Sequence, residues 1–277
     1  MKRALEPWQN MERDLIKGHR KELWNPFIYA VQRYELVRPG DRIAVCVSGG
    51  KDSMLLAKLM QELHRHSIHP FEAAYLVMDP GYSRENREKI EANAARLHIP
   101  LTFFDTEIFS AAFAAEKNPC YLCARMRRGA LYAKARDLGC NKIALGHHFN
   151  DVVETTVLAM FYGSQLQGMM PKLHSTHFPG MELIRPLYCV HEEDITAWSR
   201  RWGLEFLQCA CRFTERAQRE EISKRREIKE LLRSLRQKHP DIEKCIFQSI
   251  HNVCLDTFPS YKTHGKQVWF LDGYEEE

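Results

Sequence analysis

With 277 residues, 44% hydrophobic and 27% charged, the chain has the composition of a soluble globular protein. This excludes intrinsic disorder as its main state and supplies enough apolar mass for a core without disulfide staples. A formal net charge of +4 admits a nucleic-acid partner without requiring one. Nine cysteines, an odd number, are too few for a disulfide scaffold and point instead to metal binding or chemistry.

Residues 8–36 read as helical, with Leu15, Ile16, Trp24, Phe27, Ile28, Val31 and Leu36 on a ragged apolar face. The charged start, Met1-Lys2-Arg3, lacks the apolar stretch of a signal peptide, and no run of about 18 apolar residues follows. The expected setting is cytoplasmic, with no membrane partner. Residues 42–47, Arg-Ile-Ala-Val-Cys-Val, form a short apolar run between Pro39-Gly40-Asp41 and Gly49-Gly50, the pattern of a buried strand. A helix is predicted over 52–65, a strand over 73–78, a helix over 85–97 and a strand over 101–104. A helix over 125–138, a strand over 142–145 and a helix over 152–162 follow, then a fifth strand within 181–187 and a helix near 192–202. Strands alternating with helices predict an α/β fold: a parallel sheet flanked by helices, with ligands at the carboxyl ends of its strands. The expected division is an N-terminal helical segment (1–38), a central α/β domain (39–205) and a C-terminal helical extension (206–277).

The most informative stretch is Ser48-Gly49-Gly50-Lys51-Asp52-Ser53, between a predicted strand and a predicted helix. Two glycines permit a tight turn and close approach to an anion, and the free N–H groups of a helix start bind that anion. Lys51 adds a charge, Ser48 and Ser53 add hydroxyls, and Asp52 suits a helix cap or a Mg²⁺ ligand. The spacing is not that of a Walker A loop. The hexapeptide resembles the PP-loop of the N-type ATP pyrophosphatases, which split ATP between the α- and β-phosphates to adenylate a substrate. That resemblance implies an adenine nucleotide alpha hydrolase-like (HUP-type, Rossmann-like) domain over 39–205. Val77 and Met78 end the second strand, where adenine is read in such a fold, and Gly146 and His147 end the fourth. Asp79-Pro80-Gly81 suits either a ligand contact or a plain turn.

Cys120-Tyr121-Leu122-Cys123 precedes a helix rich in arginine, a setting that favours thiolates. Alone it reads equally as half a metal site, a redox pair or two incidental thiols. Cys209-Ala210-Cys211 is a second group; a structural zinc on all four thiols and an iron–sulfur cluster on three are both open. Cys46, Cys140, Cys189 and Cys245 have no partner motif and read as ordinary small residues, while Cys254 is ambiguous.

In combination and order, the motifs resemble the tRNA 2-thiocytidine synthetases within the PP-loop superfamily, over about residues 10–215. They are Pro39-Gly40-Asp41-Arg42-Ile43 into Ser48 to Ser53, Pro119-Cys120-Tyr121-Leu122-Cys123, and Arg125-Met126-Arg127-Arg128-Gly129. Ala144-Leu145-Gly146-His147-His148, Ala159-Met160-Phe161-Tyr162-Gly163, Gly168-Met169-Met170-Pro171-Lys172-Leu173 and Ile184-Arg185-Pro186-Leu187 follow. The resemblance implies an ATP- and Mg²⁺-dependent enzyme that adenylates the C2 oxygen of an anticodon-loop cytidine and replaces it with sulfur. It implies a 4Fe-4S cluster on three cysteines, matched here by Cys120, Cys123 and Cys211, with Cys209 the alternative third ligand. It further implies Lys51, Asp52 and Asp151 as catalytic residues, with Ser48, Gly49, Gly50, Lys51, Asp52, Ser53, Val77, Met78, Gly146 and His147 on ATP. Arg125, Arg127, Arg128 and Lys172 fit RNA contacts, the arginines reading otherwise as a solvated helix face. The partners are tRNA and a sulfur donor, a cysteine desulfurase or inorganic sulfide, with a homodimer as one assembly.

Two departures stand out. The family shows Gly-His-His-Arg-Asp-Asp where this chain has Gly146-His147-His148-Phe149-Asn150-Asp151, and it spaces its downstream cysteines by two residues, not one. Alternatives are a paralogue thiolating another base, a lysidine-type ligase without a cluster, and a non-catalytic ATP/iron–sulfur sensor.

Overall fold

The computed structural model describes residues 5–68, 70–109, 119–207, 219–272 and 274, with side chains for all of these except 119–121, 124 and 219–223. The N-terminal region forms α1 (Pro7–Arg13) and α2 (Asn25–Arg33), joined by two π-helical turns, Asp14–Gly18 and Arg20–Trp24, where the pattern predicts one helix. The α/β core runs β1 (Arg42–Val47), α3 (Lys51–His66), β2 (Glu72–Asp79), α4 (Arg84–Leu97) and β3 (Leu101–Asp105). It continues with α5 (Pro119–Asp137), β4 (Lys142–Ala144), α6 (Phe149–Gly163), β5 (Lys172–His174), β6 (Glu182–Ile184) and α7 (Glu192–Arg201). The C-terminal part holds α8 (Arg219–Lys238), α9 (Ile242–Ser249) and a hairpin of β7 (Ser260–Thr263) and β8 (Lys266–Trp269).

The six-stranded sheet has the order β3-β2-β1-β4-β6-β5, and only the edge strand β5 is antiparallel. β1 is central and covered on both faces, as its unbroken apolar sequence requires. Its side chains alternate: Ile43, Val45 and Val47 enter one core with α3 and the N-terminal helices, while Ala44 and Cys46 enter the other with Tyr132 and Ala135 of α5. The chain leaves β1 toward β2 and β3, then crosses back to β4 on the other side. The crevice for a ligand therefore opens between the carboxyl ends of β1 and β4.

The opposite end of the sheet is pinned by a buried charge. Lys142 Nζ lies 2.7 Å from Asp41 and 3.3 Å from Glu182 and donates to the Leu36 carbonyl at 3.0 Å. A buried ammonium is tolerable only with such full pairing. α8 and α9 close on α6 through Phe149, Val153, Val157, Ile228 and Leu232, with Ile246 and Phe247 against them. Among the described residues no helix is long and apolar enough to cross a membrane.

Candidate active site

At the carboxyl end of β1 the chain turns through Gly49, whose φ of +84° is a left-handed conformation suited to glycine. A Cβ there would also lie 2.7 Å from Ile90. Gly50 is the N-cap of α3. The Ser53 hydroxyl donates to the Gly50 carbonyl at 2.9 Å and accepts from the Ser48 N–H at 3.1 Å and the Ser48 hydroxyl at 3.2 Å. Two serines five residues apart thus tie the loop into a closed turn whose exposed N–H groups crown a 16-residue helix.

Opposite, Gly146 follows β4. A Cβ on it would stand 3.1 Å from both the Asp52 carbonyl carbon and the Ser53 nitrogen, so glycine lets this segment touch the start of α3. Together these segments enclose a cavity of about 480 Å³ lined by Ser48, Gly50, Asp52, Ser53, Met78, Arg127, Arg128, Gly146, His147 and Asp151, among others. A larger apolar cavity of about 880 Å³, beside α6, α8 and α9, includes none of these residues.

Asp52 sits in the first turn of α3. Lys51 Nζ donates to its Oδ2 at 3.2 Å, while the buried Oδ1 has no hydrogen bond. Asp151 Oδ2 accepts the His148 N–H at 2.9 Å, and the Asp151 N–H donates to His148 Nδ1 at 3.4 Å, so His148 caps α6. Two carboxylates therefore face one cavity, with the Lys51 ammonium beside Asp52. Carboxylate oxygens are the donors that Mg²⁺ takes, so Asp52 and Asp151 are the residues that would hold it. No group of three or more His, Cys, Asp or Glu side chains placed to hold a metal occurs among the described residues. Burial holds the His147 imidazole down at about 4, against the pull of Asp151, so at neutral pH it is uncharged. Its Nδ1 has no hydrogen-bond partner among the described residues.

Lys51 is not among the residues that line the cavity. Its ammonium lies 3.0 Å from Glu192 Oε1 at the start of α7 and 3.0 Å from Asp52 Oδ1. Burial would raise the Glu192 carboxyl, but the Lys51 hydrogen bond and charge, with Lys229, hold it at about 2. Lys229 of α8 lies 3.3 Å from Glu192 and 3.5 Å from buried Glu154. Only their places in the fold mark Glu192, Glu154 and Lys229; in sequence they read as ordinary helix charges.

Met78 lines the cavity, whereas Val77 is fully buried within the sheet. Asp79 serves the turn: its Oδ1 accepts from the N–H groups of Gly81 (2.9 Å) and Tyr82 (2.7 Å), and Oδ2 meets Arg87 at 3.1 Å. Of the three arginines on α5, Arg127 and Arg128 line the cavity and Arg125 is exposed beside it in sequence. Lys172 lies on β5, donating to the Glu35 carbonyl at 3.2 Å. α5 begins earlier than the pattern predicts, so positions 120 and 123 share its first turn on one face. Cys123 is half-buried; Cys209 and Cys211 lie outside the described residues.

The replaced family residues have structural places. Phe149 is buried, 4.1 Å from the His191 ring and 4.8 Å from Phe247, at the root of the C-terminal helices. Asn150 Oδ1 accepts the Glu192 N–H at 2.9 Å, so it still caps α7 without adding a carboxylate.

Comparison with known proteins agrees with this geometry. A PP-loop domain family matches residues 23–232. The tRNA-cytidine(32) 2-sulfurtransferase of Pelobacter propionicus is 36% identical over 227 residues, covering 81% of this chain and 82% of that protein. That of Cellvibrio japonicus is 35% identical, covering 81% and 73%. Among solved structures, the U34-tRNA thiolase NcsA from Methanococcus maripaludis, with its [4Fe-4S] cluster, has the same fold (TM-score 0.65, 18% identity, 82% of this chain and 77% of that one). With a PP-loop domain over most of its length and relatives of this identity and coverage, the chain belongs to the tRNA-cytidine(32) 2-sulfurtransferase family.

Proposed function

We propose that this chain is an ATP-dependent tRNA thiolase acting on the C2 position of an anticodon-loop cytidine. The observation that carries the reading is the single cavity where the phosphate loop meets Asp52, Asp151 and the arginines of α5, the helix whose first turn bears the Cys-x-x-Cys pair. The loop N–H groups, Ser48 and Ser53 bind the triphosphate, with Lys51 adding charge at the flank, and Met78 borders the adenine with the backbone of Val77 behind it. Gly146 and His147 close over the nucleotide from β4, and uncharged His147 can hydrogen bond to it. Asp52 and Asp151 would hold Mg²⁺, which neutralises charge on the departing pyrophosphate when bound. The cytidine C2 oxygen attacks the α-phosphate and pyrophosphate leaves. Sulfide, as HS⁻, then adds at C2 and loses its proton, and the C2–O bond breaks as AMP departs with the oxygen, a better leaving group than the bare oxide.

Arg125, Arg127, Arg128 and Lys172 would take RNA phosphates. Cys120, Cys123 and Cys211, with Cys209 the alternative third thiolate, would hold a 4Fe-4S cluster, which would supply Lewis-acid chemistry toward sulfide. The sulfur donor is a cysteine desulfurase or inorganic sulfide, and the setting is the cytoplasm. A homodimer is the proposed assembly, since exposed Met160, Phe161, Met170 and Trp269 offer apolar surface to a second copy.

The test is anaerobic incubation of the full chain with tRNA, ATP and Mg²⁺. Pyrophosphate release that depends on tRNA is expected. Release of ADP would put the protein outside this chemistry.

A further inference from the structure

The ion pairs around Lys51 reach beyond the phosphate loop. Lys51 is the first residue of α3, where the helix dipole is positive, so an ammonium there needs a counter-ion. Glu192 supplies it, 141 residues away in sequence, from the first turn of α7. The carboxylate is shared: Oε1 meets Lys51 at 3.0 Å and Oε2 meets Lys229 at 3.3 Å. Its backbone is fixed too, because Asn150 accepts the Glu192 N–H. Lys229 is in turn 3.5 Å from Glu154, which is buried on α6 five residues after Phe149. The chain of contacts thus runs from the phosphate loop through α7 to the C-terminal helix α8, alongside the apolar seam of Phe149, Ile228 and Leu232.

We propose that Glu192 is a positioning residue of the ATP site, holding Lys51 and the start of α3 in their binding geometry, and that Lys229 completes it. The docked C-terminal extension is then part of the nucleotide site. This rests on ATP binding at the loop, not on the identity of the base that is modified. Neither residue contacts the reacting atoms. Each acts through Lys51.

The test is calorimetric titration of the full chain with Mg²⁺ and α,β-methylene-ATP, whose α–β bridge cannot be cut, alongside tRNA binding and thermal melting. Glu192→Gln should weaken nucleotide binding about 10-fold and Lys229→Met about 3-fold, with tRNA affinity unmoved. The double variant should bind within about twofold of Glu192→Gln alone, because the two changes break one network. Lys229→Arg should restore binding, since it keeps the charge. Lys229 is on an exposed stretch of α8, so its variants inform even where Glu192→Gln melts early. Nucleotide affinity within twofold of wild type in both single variants overturns the proposal, as do independent multiplying effects or an equal loss of tRNA affinity. A wild-type chain that fails to bind the analogue would sink the ATP site itself and this proposal with it.

Discussion

Gly146 sets how closely β4 approaches the phosphate loop. Its contact is with backbone atoms of Asp52 and Ser53, which cannot swing away as a flexible side chain would. Gly146→Ala should push the start of α3 outward, raise KM for ATP about 10-fold and cost about 1–3 kcal/mol of stability. Steady-state pyrophosphate release and urea denaturation measure the two effects; an unchanged KM would contradict the tight approach. Glu154 offers a second test at this scale. Burial raises its carboxyl from 4.5 to about 7, with Lys229 only partly opposing. Between those values the folded protein keeps a proton that the unfolded chain has released, so stability falls as pH rises through that window. The loss is on the order of 3 kcal/mol. Glu154→Gln removes the titration, so denaturation from about pH 4.5 to about pH 8 should show the variant gaining on wild type. Parallel curves would contradict a protonated Glu154.

Between elements, the seam of α6 with α8 and α9 matters most. Phe149 stands where the family carries arginine, and it is 5% exposed amid aliphatic and aromatic neighbours. Phe149→Ala should cost on the order of 3–5 kcal/mol and make the C-terminal helices sensitive to limited proteolysis. Phe149→Arg should do at least as much harm, because it buries an unpaired charge. Survival of the C-terminal helices in both variants would mean the seam is held elsewhere. α5 is the other element to test. Removing either Cys120 or Cys123 should abolish the iron–sulfur absorbance of anaerobically purified protein near ~400 nm. Loss with Cys209→Ala but not with Cys211→Ala would reassign the third ligand.

For the whole molecule, the alternation of strands and helices announced the parallel sheet, and the glycine–serine loop marked its ligand-binding end. These were legible because an unbroken apolar strand and a glycine turn leave local patterns. β5 was not, since three residues at a sheet edge carry no period, and the β7–β8 hairpin has no core to pattern it. Lys172, read from the sequence as an RNA contact, lies on that edge strand. The phosphate-loop serines, Asp52, Gly146, His147, Asp151, Arg127 and Arg128 were found from motifs and meet at one cavity, while Arg125 does not line it. Glu192 and Lys229 were illegible because they lie 141 and 178 residues from Lys51, and only the fold joins them. The central claim is thiolation of cytidine, and mass spectrometry of tRNA nucleosides tests it most directly. Cells lacking this protein should lose 2-thiocytidine and regain it when the gene returns, but not with an Asp52→Ala copy. Undiminished 2-thiocytidine, or loss of a different thionucleoside, would contradict the account.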